Sequence, residues 1–369
     1  MRVVLASDWW PPRLGGIESQ MADLAGVLAS RGHQVHVLTT TDNPVPIPGV
    51  AVERVPLPKI GHLAAPDPRR LRDIANRLEQ LTPDVMHAHG MFSSFALGTT
   101  VAAHRLGVPS VFTVHSLLRP WPVFLGGCAL LRMFANRADV LTAVSAATVR
   151  DVARASGRDV VRVPNGVHLA DWRTARHAAA GVRLVAVTRL VPKKSPIDLV
   201  YALRETVTRL NGADVTMTIA GDGPERSKLE CAAAALGVAD RLRLLGRCSR
   251  EQIQSLLGSA SLLAHPVRLE AFGLAILEAR AAGVPVVAMA TGGVPDLVEH
   301  RQHGLLAGNR REFYAAVAEL AADEGLRRLC ADNAARGLDA FDWSNVVIQH
   351  EATYARAVDL ARRRARGSR

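Results

Sequence analysis

Lysine is scarce in this chain. Of 45 basic side chains in 369 residues only Lys59, Lys193, Lys194 and Lys228 are lysine, so the adjacent pair at 193–194 stands out against an arginine background. Aromatic residues make up only 4%, and no run interleaves them with basic residues into a platform on which bases could stack. The formal net charge of +11 therefore does not point to nucleic acid. Part of that surplus is local: residues 351–369, ending ARRRARGSR, carry six arginines against two acids. Together with the basic stretch RRLRDIANR (69–77), this tail would give a weak peripheral attraction to anionic membrane surfaces. The four cysteines, Cys128, Cys231, Cys248 and Cys330, are scattered without a C-x-x-C spacing. That argues against structural zinc and fits a reducing cytoplasm. No apolar run reaches the ~18 uninterrupted residues of a membrane span, and the candidates at 121–134 and 281–294 are broken by Pro, Gly or Arg132. The opening MRVVLASDWW is too short in its apolar part for a secretory signal and reads as a first strand.

Two motifs are missing as well. G-x-G-x-x-G does not occur, so the dinucleotide fingerprint is absent. No D-x-D occurs either, and such acids are what usually clamp a divalent metal on a diphosphate. If the chain handles a diphosphate, cationic side chains and helix N-termini must neutralise it, and no metal is expected.

What is present is alternation. Short β-branched runs alternate with Ala/Leu/Arg helices, the signature of parallel α/β sheets. Strands are predicted at 3–6, 34–39, 52–55, 84–89, 110–114 and 139–144, then at 182–188, 214–221, 241–246, 260–265 and 284–289. The turn-rich stretch VPNGVHLADWRTARHAAAG (163–181) separates the two sets as a linker. The fold class is thus α/β, with two Rossmann-like domains, 1–168 and 181–343, facing across a cleft. The last helix, from about Ser344 to 369, is long enough to recross to the first domain. Ligands of such sheets sit at the carboxyl ends of strands.

Several strand ends carry chemistry. Gly15-Gly16 in SDWWPPRLGGIES let backbone amides approach an anion at a helix start, or simply make a tight turn. VTRLVPKKSP places Arg189 at a strand end and Lys194 five residues later. These cations repel one another unless an anion sits between them or solvent screens them. AGDGPERSKLE (220–230) is a turn and helix start that touches a nucleotide base or merely reverses the chain. TVHSLL puts His115 at another strand end, and His87 and His89 in DVMHAHG point the same way on a strand. A metal there would need further ligands that the sequence does not suggest. HPVRLEAFGLAILEARAAGVPVVA (265–288) keeps Glu270 and Glu278 in an otherwise apolar run. Burying two carboxylates is costly unless a ligand rich in hydroxyls or cations needs them.

In this order, PPRLGGIE, TVHS, VPNGV, TRLVPKK, AGDGPE, EAFGLAILEARAAGVPVVA, TGGVPDLV and HGLLA cover nearly the whole chain. The set resembles the retaining, metal-independent glycosyltransferases of the GT-B fold, in the large group marked by two glutamates with seven intervening residues (family 4-like, group 1). The resemblance implies a transfer of a hexose or N-acetylhexosamine from a nucleoside diphosphate sugar, UDP ahead of GDP, to a hydroxyl of a small-molecule, glycan or lipid acceptor. It assigns Glu270 to hydroxyls of the transferred sugar and Glu278 to the ribose. Arg189 and Lys194 match the basic pair on the diphosphate, and Gly16, next to Gly15, the glycine that approaches it. Amides around Phe272, Gly273 and Leu274 complete the phosphate cradle. His115 lies near sugar and acceptor, Asn165 of VPNGV joins the donor contacts, and Arg247 and Cys248 lie where the family holds the base.

The chain departs from the pattern at Ser116 and His168, each where Asp is common, and at Asp296, where Glu is frequent. Val267 and Arg268 stand where a small polar residue is usual. These leave the donor chemistry intact and bear on acceptor contacts. Residues 117–134, with Arg119, Trp121, Phe124 and Leu125, would receive a lipid head and chain or a cyclic aglycone, or form a core helix. Two other classes remain open: a nucleotide-sugar epimerase or hydrolase on the same fold, and a non-catalytic nucleotide-sugar sensor.

Overall fold

The computed structural model describes residues 1–13, 15–56, 59–60, 63–64, 68–91, 93–118, 132, 135–173, 181–211 and 213–367. The chain divides into two compact units, Met1–Gly166 with Phe341–Arg369, and Val167–Ala340.

The first unit is built on a seven-stranded parallel sheet: β1 (Arg2–Ser7), β2 (Gln34–Thr39), β3 (Val50–Arg54), β6 (Val85–His89), β7 (Ser110–Val114), β8 (Val140–Ala143) and β9 (Val160–Arg162). Their spatial order is β3-β2-β1-β6-β7-β8-β9. A small antiparallel pair, β4 (Lys59–Ile60) with β5 (Leu63–Ala64), stands apart from it. Strands covered on both faces read as continuous apolar runs, not alternating ones. Accordingly Val3, Val4, Leu5 and Ala6 of β1 are all buried, as are all five residues of β6. Order reverses between β1 and β6, so the loops leaving their carboxyl ends flank the crevice where ligands of such sheets bind.

The C-terminal helix Trp343–Gly367 belongs to this unit. It buries Trp343, Val346, Val347, His350, Tyr354, Ala357 and Ala361, the three-to-four-residue spacing of one helical face. That face joins the core formed by Met21, Leu24 and Leu28 of the helix Gly16–Ser30. Arg31 closes the contact with a two-pronged pair to Glu351, at 2.7 and 2.8 Å. Gln20 in turn holds Gly166 from both sides, donating to its carbonyl at 2.7 Å and accepting from its amide at 2.8 Å.

The second unit carries β10 (Val182–Val187), β11 (Val215–Ala220), β12 (Leu242–Gly246), β13 (Leu262–His265), β14 (Val286–Met289) and β15 (Gly304–Ala307). Their order is β12-β11-β10-β13-β14-β15, and every pair is parallel. This is the doubly wound 3-2-1-4-5-6 order, with its switch point between β10 and β13. The registry Leu184↔Leu262 and Val185↔Leu263 sets the carboxyl ends of those two strands side by side.

Both sheets thus form the two Rossmann-like domains expected, with three additions. The pair β4–β5 has two residues per strand, β9 is a short, half-exposed edge strand, and β15 opens on a glycine. None makes an apolar run long enough to read as a strand. Gly304, at φ 148°, lies where a Cβ would run into the backbone of Val286, so close strand packing requires glycine there. Within the stretch read as a linker, Leu169–Trp172 is a short helix with Trp172 buried, while 174–180 lies outside the described residues.

Gly166 has the indole of Trp343 against the place a Cβ would occupy. Gly166→Ala should lower stability by about 1–3 kcal/mol through overpacking, read as an earlier denaturant midpoint. An unchanged midpoint would mean that the helix start at Trp343 is not held against Gly166.

Candidate functional site

In the second unit the switch point gathers most of the charged residues singled out above. After β10 the chain passes through Thr188–Val191 and a single 3-10 turn, Pro192–Lys194. Ser195 follows at φ 50°, and the helix Ile197–Arg209 begins. Arg189 is exposed and Lys194 half-buried. The AGDG turn does more than reverse the chain. Gly221 and Gly223 adopt φ of 146° and 156°, where a Cβ would collide with the carbonyl oxygens of Thr188 and Leu190. Leu190 is tied down on both sides, its amide to Asp222 O at 2.9 Å and its carbonyl to the Glu225 amide at 3.0 Å. The turn therefore props the loop that carries Arg189.

Glu270 leaves the end of β13 and meets that loop. Its Oε2 accepts from Lys194 Nζ at 2.7 Å, with side chains only 13% and 21% exposed. His265 Nε2 lies 3.3 Å from the same oxygen. Burial alone would raise the pKa of this carboxyl, but the His265 contact and the Lys194 charge outweigh it and hold Glu270 well below the usual carboxylate range. The pKa of Lys193 is pulled down, first by burial and then by the Arg189 and Lys194 charges, with Glu270 opposing. Lys193 thus feels two neighbouring cations and the Glu270 carboxylate, an arrangement that an anionic ligand would relieve.

The Glu270 carbonyl accepts from the Gly293 amide at 2.9 Å, fixing the loop to the TGG segment. Phe272 is buried, and Gly273, at φ 107°, caps the helix Leu274–Ala281. First-turn amides have no acceptor within their own helix and suit an anion. Glu278 sits half-buried on that helix. Two residues on, Arg280 is buried and donates to the backbone carbonyls of Leu297, Ala334 and Arg336. Burial lowers its pKa to about 10. This anchor for the Glu278 helix escaped the sequence reading, because a buried arginine looks like any other in an arginine-rich chain. Arg247 is exposed, 3.9 Å from Asp222. Cys248 is half-buried, with Sγ 3.6 Å from Gly246 O and its thiol pKa pushed up by burial.

In the first unit, Gly15 precedes the helix Gly16–Ser30, as the motif implied. The side chain of Glu18, itself buried, folds back over Gly15. Trp9, after β1, lies against Gly90, after β6, where a Cβ would strike the indole. His115 follows β7, and Asn165 lies near enough to its side chain to oppose the lowering of its pKa by burial, so two of the residues singled out meet here. His89 Nδ1 is 3.0 Å from His115 Nε2. His87 contacts Thr113 Oγ1 at 2.6 Å and Tyr354 OH at 2.9 Å. His350 of the C-terminal helix completes the group, its ring centroid 5.5 Å from that of His87. Among the described residues no group of three or more His, Cys, Asp or Glu is arranged to hold a metal ion. Residues 119–131 lie outside the described residues, so Arg119, Trp121, Phe124 and Leu125 are not placed.

Residues 178–337 match the family model "Glycosyl transferases group 1", and residues 14–171 match "Glycosyltransferase Family 4". A GDP-mannose-dependent alpha-(1-6)-phosphatidylinositol monomannoside mannosyltransferase of Mycobacterium tuberculosis is 30% identical over 353 residues, 87% of this chain and 89% of the relative. The chain belongs to the family 4, group 1 glycosyltransferases. A D-inositol 3-phosphate glycosyltransferase of Acidothermus cellulolyticus is 32% identical over 377 residues, 90% of this chain and 84% of its own. Among solved structures, Anabaena HepE in complex with UDP superposes with a TM-score of 0.80 at 23% identity, covering 96% of this chain and 100% of that one. Sucrose-phosphate synthase from Thermosynechococcus elongatus gives 0.80 at 18%, over 96% and 98%. At such identities the likeness shows the fold, two parallel-sheet Rossmann-like domains of the GT-B type. As a glycosyltransferase the chain is an enzyme, and among its described residues no helix is long and apolar enough to cross a membrane.

The histidine cluster gives this glycosyltransferase a pH dependence. Burial holds the pKa of His87 and His89 well below the ordinary 6.5, lowers His350 to about 3 and His115 to about 4. Above pH 6.5 neither the folded nor the unfolded chain protonates these rings. As pH falls below that value only the unfolded chain takes the protons, so stability is lost from pH 6.5 down towards pH 4. Each ring contributes a slope of up to about 1.4 kcal/mol per pH unit. Thermal melts should show Tm falling between pH 7 and 5, with a shallower fall in His350→Leu. Equal slopes in the two proteins would contradict this account of His350.

Proposed function

We propose that this glycosyltransferase is a retaining, metal-independent enzyme that moves a hexose or N-acetylhexosamine from a nucleoside diphosphate sugar to an acceptor hydroxyl. The observation that carries the reading is the meeting of Lys194 with Glu270 at the β10/β13 switch point, with Arg189 and Lys193 in the same field. In this reading Arg189 and Lys194 take the diphosphate with amides around Gly273, while Glu270 takes sugar hydroxyls and Glu278 the ribose. Negative charge grows on the departing β-phosphate, and preorganised cations and amide dipoles lower that barrier. Retention follows if the acceptor attacks on the face the leaving group vacates, with the departing phosphate accepting its proton. No divalent metal is called on, because the cations already supply the counter-charge.

The names of the relatives guide the choice of substrates to test. They include GDP-mannose-dependent phosphatidylinositol mannoside transferases, an inositol 3-phosphate glycosyltransferase and a phosphatidylinositol N-acetylglucosaminyltransferase subunit, whereas HepE is solved with UDP and with UDP-glucose. A thermal-shift panel of UDP-glucose, UDP-N-acetylglucosamine and GDP-mannose tests the donor, since a specific ligand raises Tm by mass action. Inositol, inositol phosphate and phosphatidylinositol vesicles are the acceptors to try first. Slow donor hydrolysis fits a transferase, whereas a free epimer or tight binding without turnover would point to an epimerase or a sensor.

The two glutamates separate kinetically. Glu278→Gln should weaken binding of the bare nucleoside diphosphate, measured calorimetrically with UDP and GDP. Glu270→Gln should leave that binding nearly unchanged and lower turnover, because sugar contacts act only while the sugar is present. The reverse pattern would exchange the two roles.

Excess EDTA should leave turnover unchanged. Abolition by chelator with rescue by magnesium or manganese would overturn the metal-free mechanism.

A further inference from the structure

Two groups converge on a single oxygen of Glu270. Lys194 Nζ and His265 Nε2 both approach Oε2, at 2.7 and 3.3 Å. His265 is the last residue of β13 and is 4% exposed. Its Nε2 is buried and has no hydrogen-bond partner among the described residues, with Glu270 Oε2 the acceptor it approaches at 3.3 Å. A ring nitrogen shut away from water needs a partner, and the Glu270 carboxylate is the group it faces. Two residues along, Val267 is fully buried. An apolar Val267 cannot donate to the carboxylate, so His265 is the polar neighbour that β13 offers it.

The lysine cannot hold Glu270 alone throughout a reaction cycle. Its ammonium is a mobile point charge on a flexible stem, and a diphosphate would draw it away from the carboxylate. The imidazole is anchored at a strand end and stays. We propose that His265 is a positioning residue for Glu270, its Nε2–H donating to Oε2 so that this oxygen stays fixed while Oε1 faces the hydroxyls of the donor sugar. The proposal rests on the reading of Glu270 as the sugar-contacting carboxylate.

The test compares His265→Leu, His265→Gln and Glu270→Gln, using hydrolysis of UDP-glucose, UDP-N-acetylglucosamine and GDP-mannose and calorimetric binding of UDP and GDP. Loss of one hydrogen bond to a charged group should lower kcat for His265→Leu by about tenfold, with diphosphate affinity unchanged. His265→Gln keeps an N–H donor and should recover most of the rate. A structural defect alone would lower diphosphate binding too and would not be rescued by glutamine, and that outcome overturns the proposal. If Glu270→Gln loses turnover while His265→Leu keeps the wild-type rate, the proposal fails and the sugar reading stands. If Glu270→Gln itself keeps full turnover, the sugar reading fails and takes the proposal with it. Should His265→Leu not fold, nitrogen NMR of histidine-labelled wild-type protein decides. Its His265 Nε2 should carry the proton and shift in Glu270→Gln, and an unmoved resonance overturns the proposal.

Discussion

The pairing of Lys194 with Glu270 is the interaction on which the second unit's site depends. A carboxylate this deeply set would be protonated or excluded if it stood alone, because desolvation of a charge outweighs most single contacts. Here the lysine charge and the His265 ring keep it ionised. The dependence also runs the other way. Beyond burial, Arg189 and Lys194 lie close enough to lower the pKa of Lys193, and Glu270 opposes that shift. In the proposed reading such a site is preorganised for a ligand with a negative centre and hydroxyls beside it, as a nucleoside diphosphate sugar has.

Backbone architecture makes that pairing possible. The loops after β10 and β13 begin at adjacent strand ends because the sheet reverses its order between them. Glycines at 221 and 223 let the neighbouring turn press against Thr188 and Leu190. Arg280 pins the helix bearing Glu278 through three backbone carbonyls. In the first unit the C-terminal helix has a comparable role, bringing Trp343, His350 and Tyr354 into the core against β6 and β7.

Much of this was legible in the chain before folding. Apolar β-branched runs, the Gly-Gly helix start, the isolated lysine pair and the two glutamates in an apolar segment all point to parallel α/β sheets with chemistry at strand ends. What escaped has physical reasons. β9 is too short to show a pattern, and β15 opens on a glycine, which interrupts its apolar run. His265 looks like the end of an apolar strand, and its value comes from Glu270 five residues on, turned back towards it by a loop. His87 and His89 read as a pair on one strand face, but their partners His115, His350 and Tyr354 come from 26 to more than 260 residues away.

By itself the sequence determined the fold class, the order of the motifs and the kinds of charge available, because periodicity, turn chemistry and composition are local properties carried by neighbouring residues. Only the tertiary structure decided which charges meet. The approach of Lys194 to Glu270, of His265 to the same oxygen and of His350 to His87 depends on strand order and registry. Those are set by the packing of whole sheets and helices, in which residues distant along the chain bury one another.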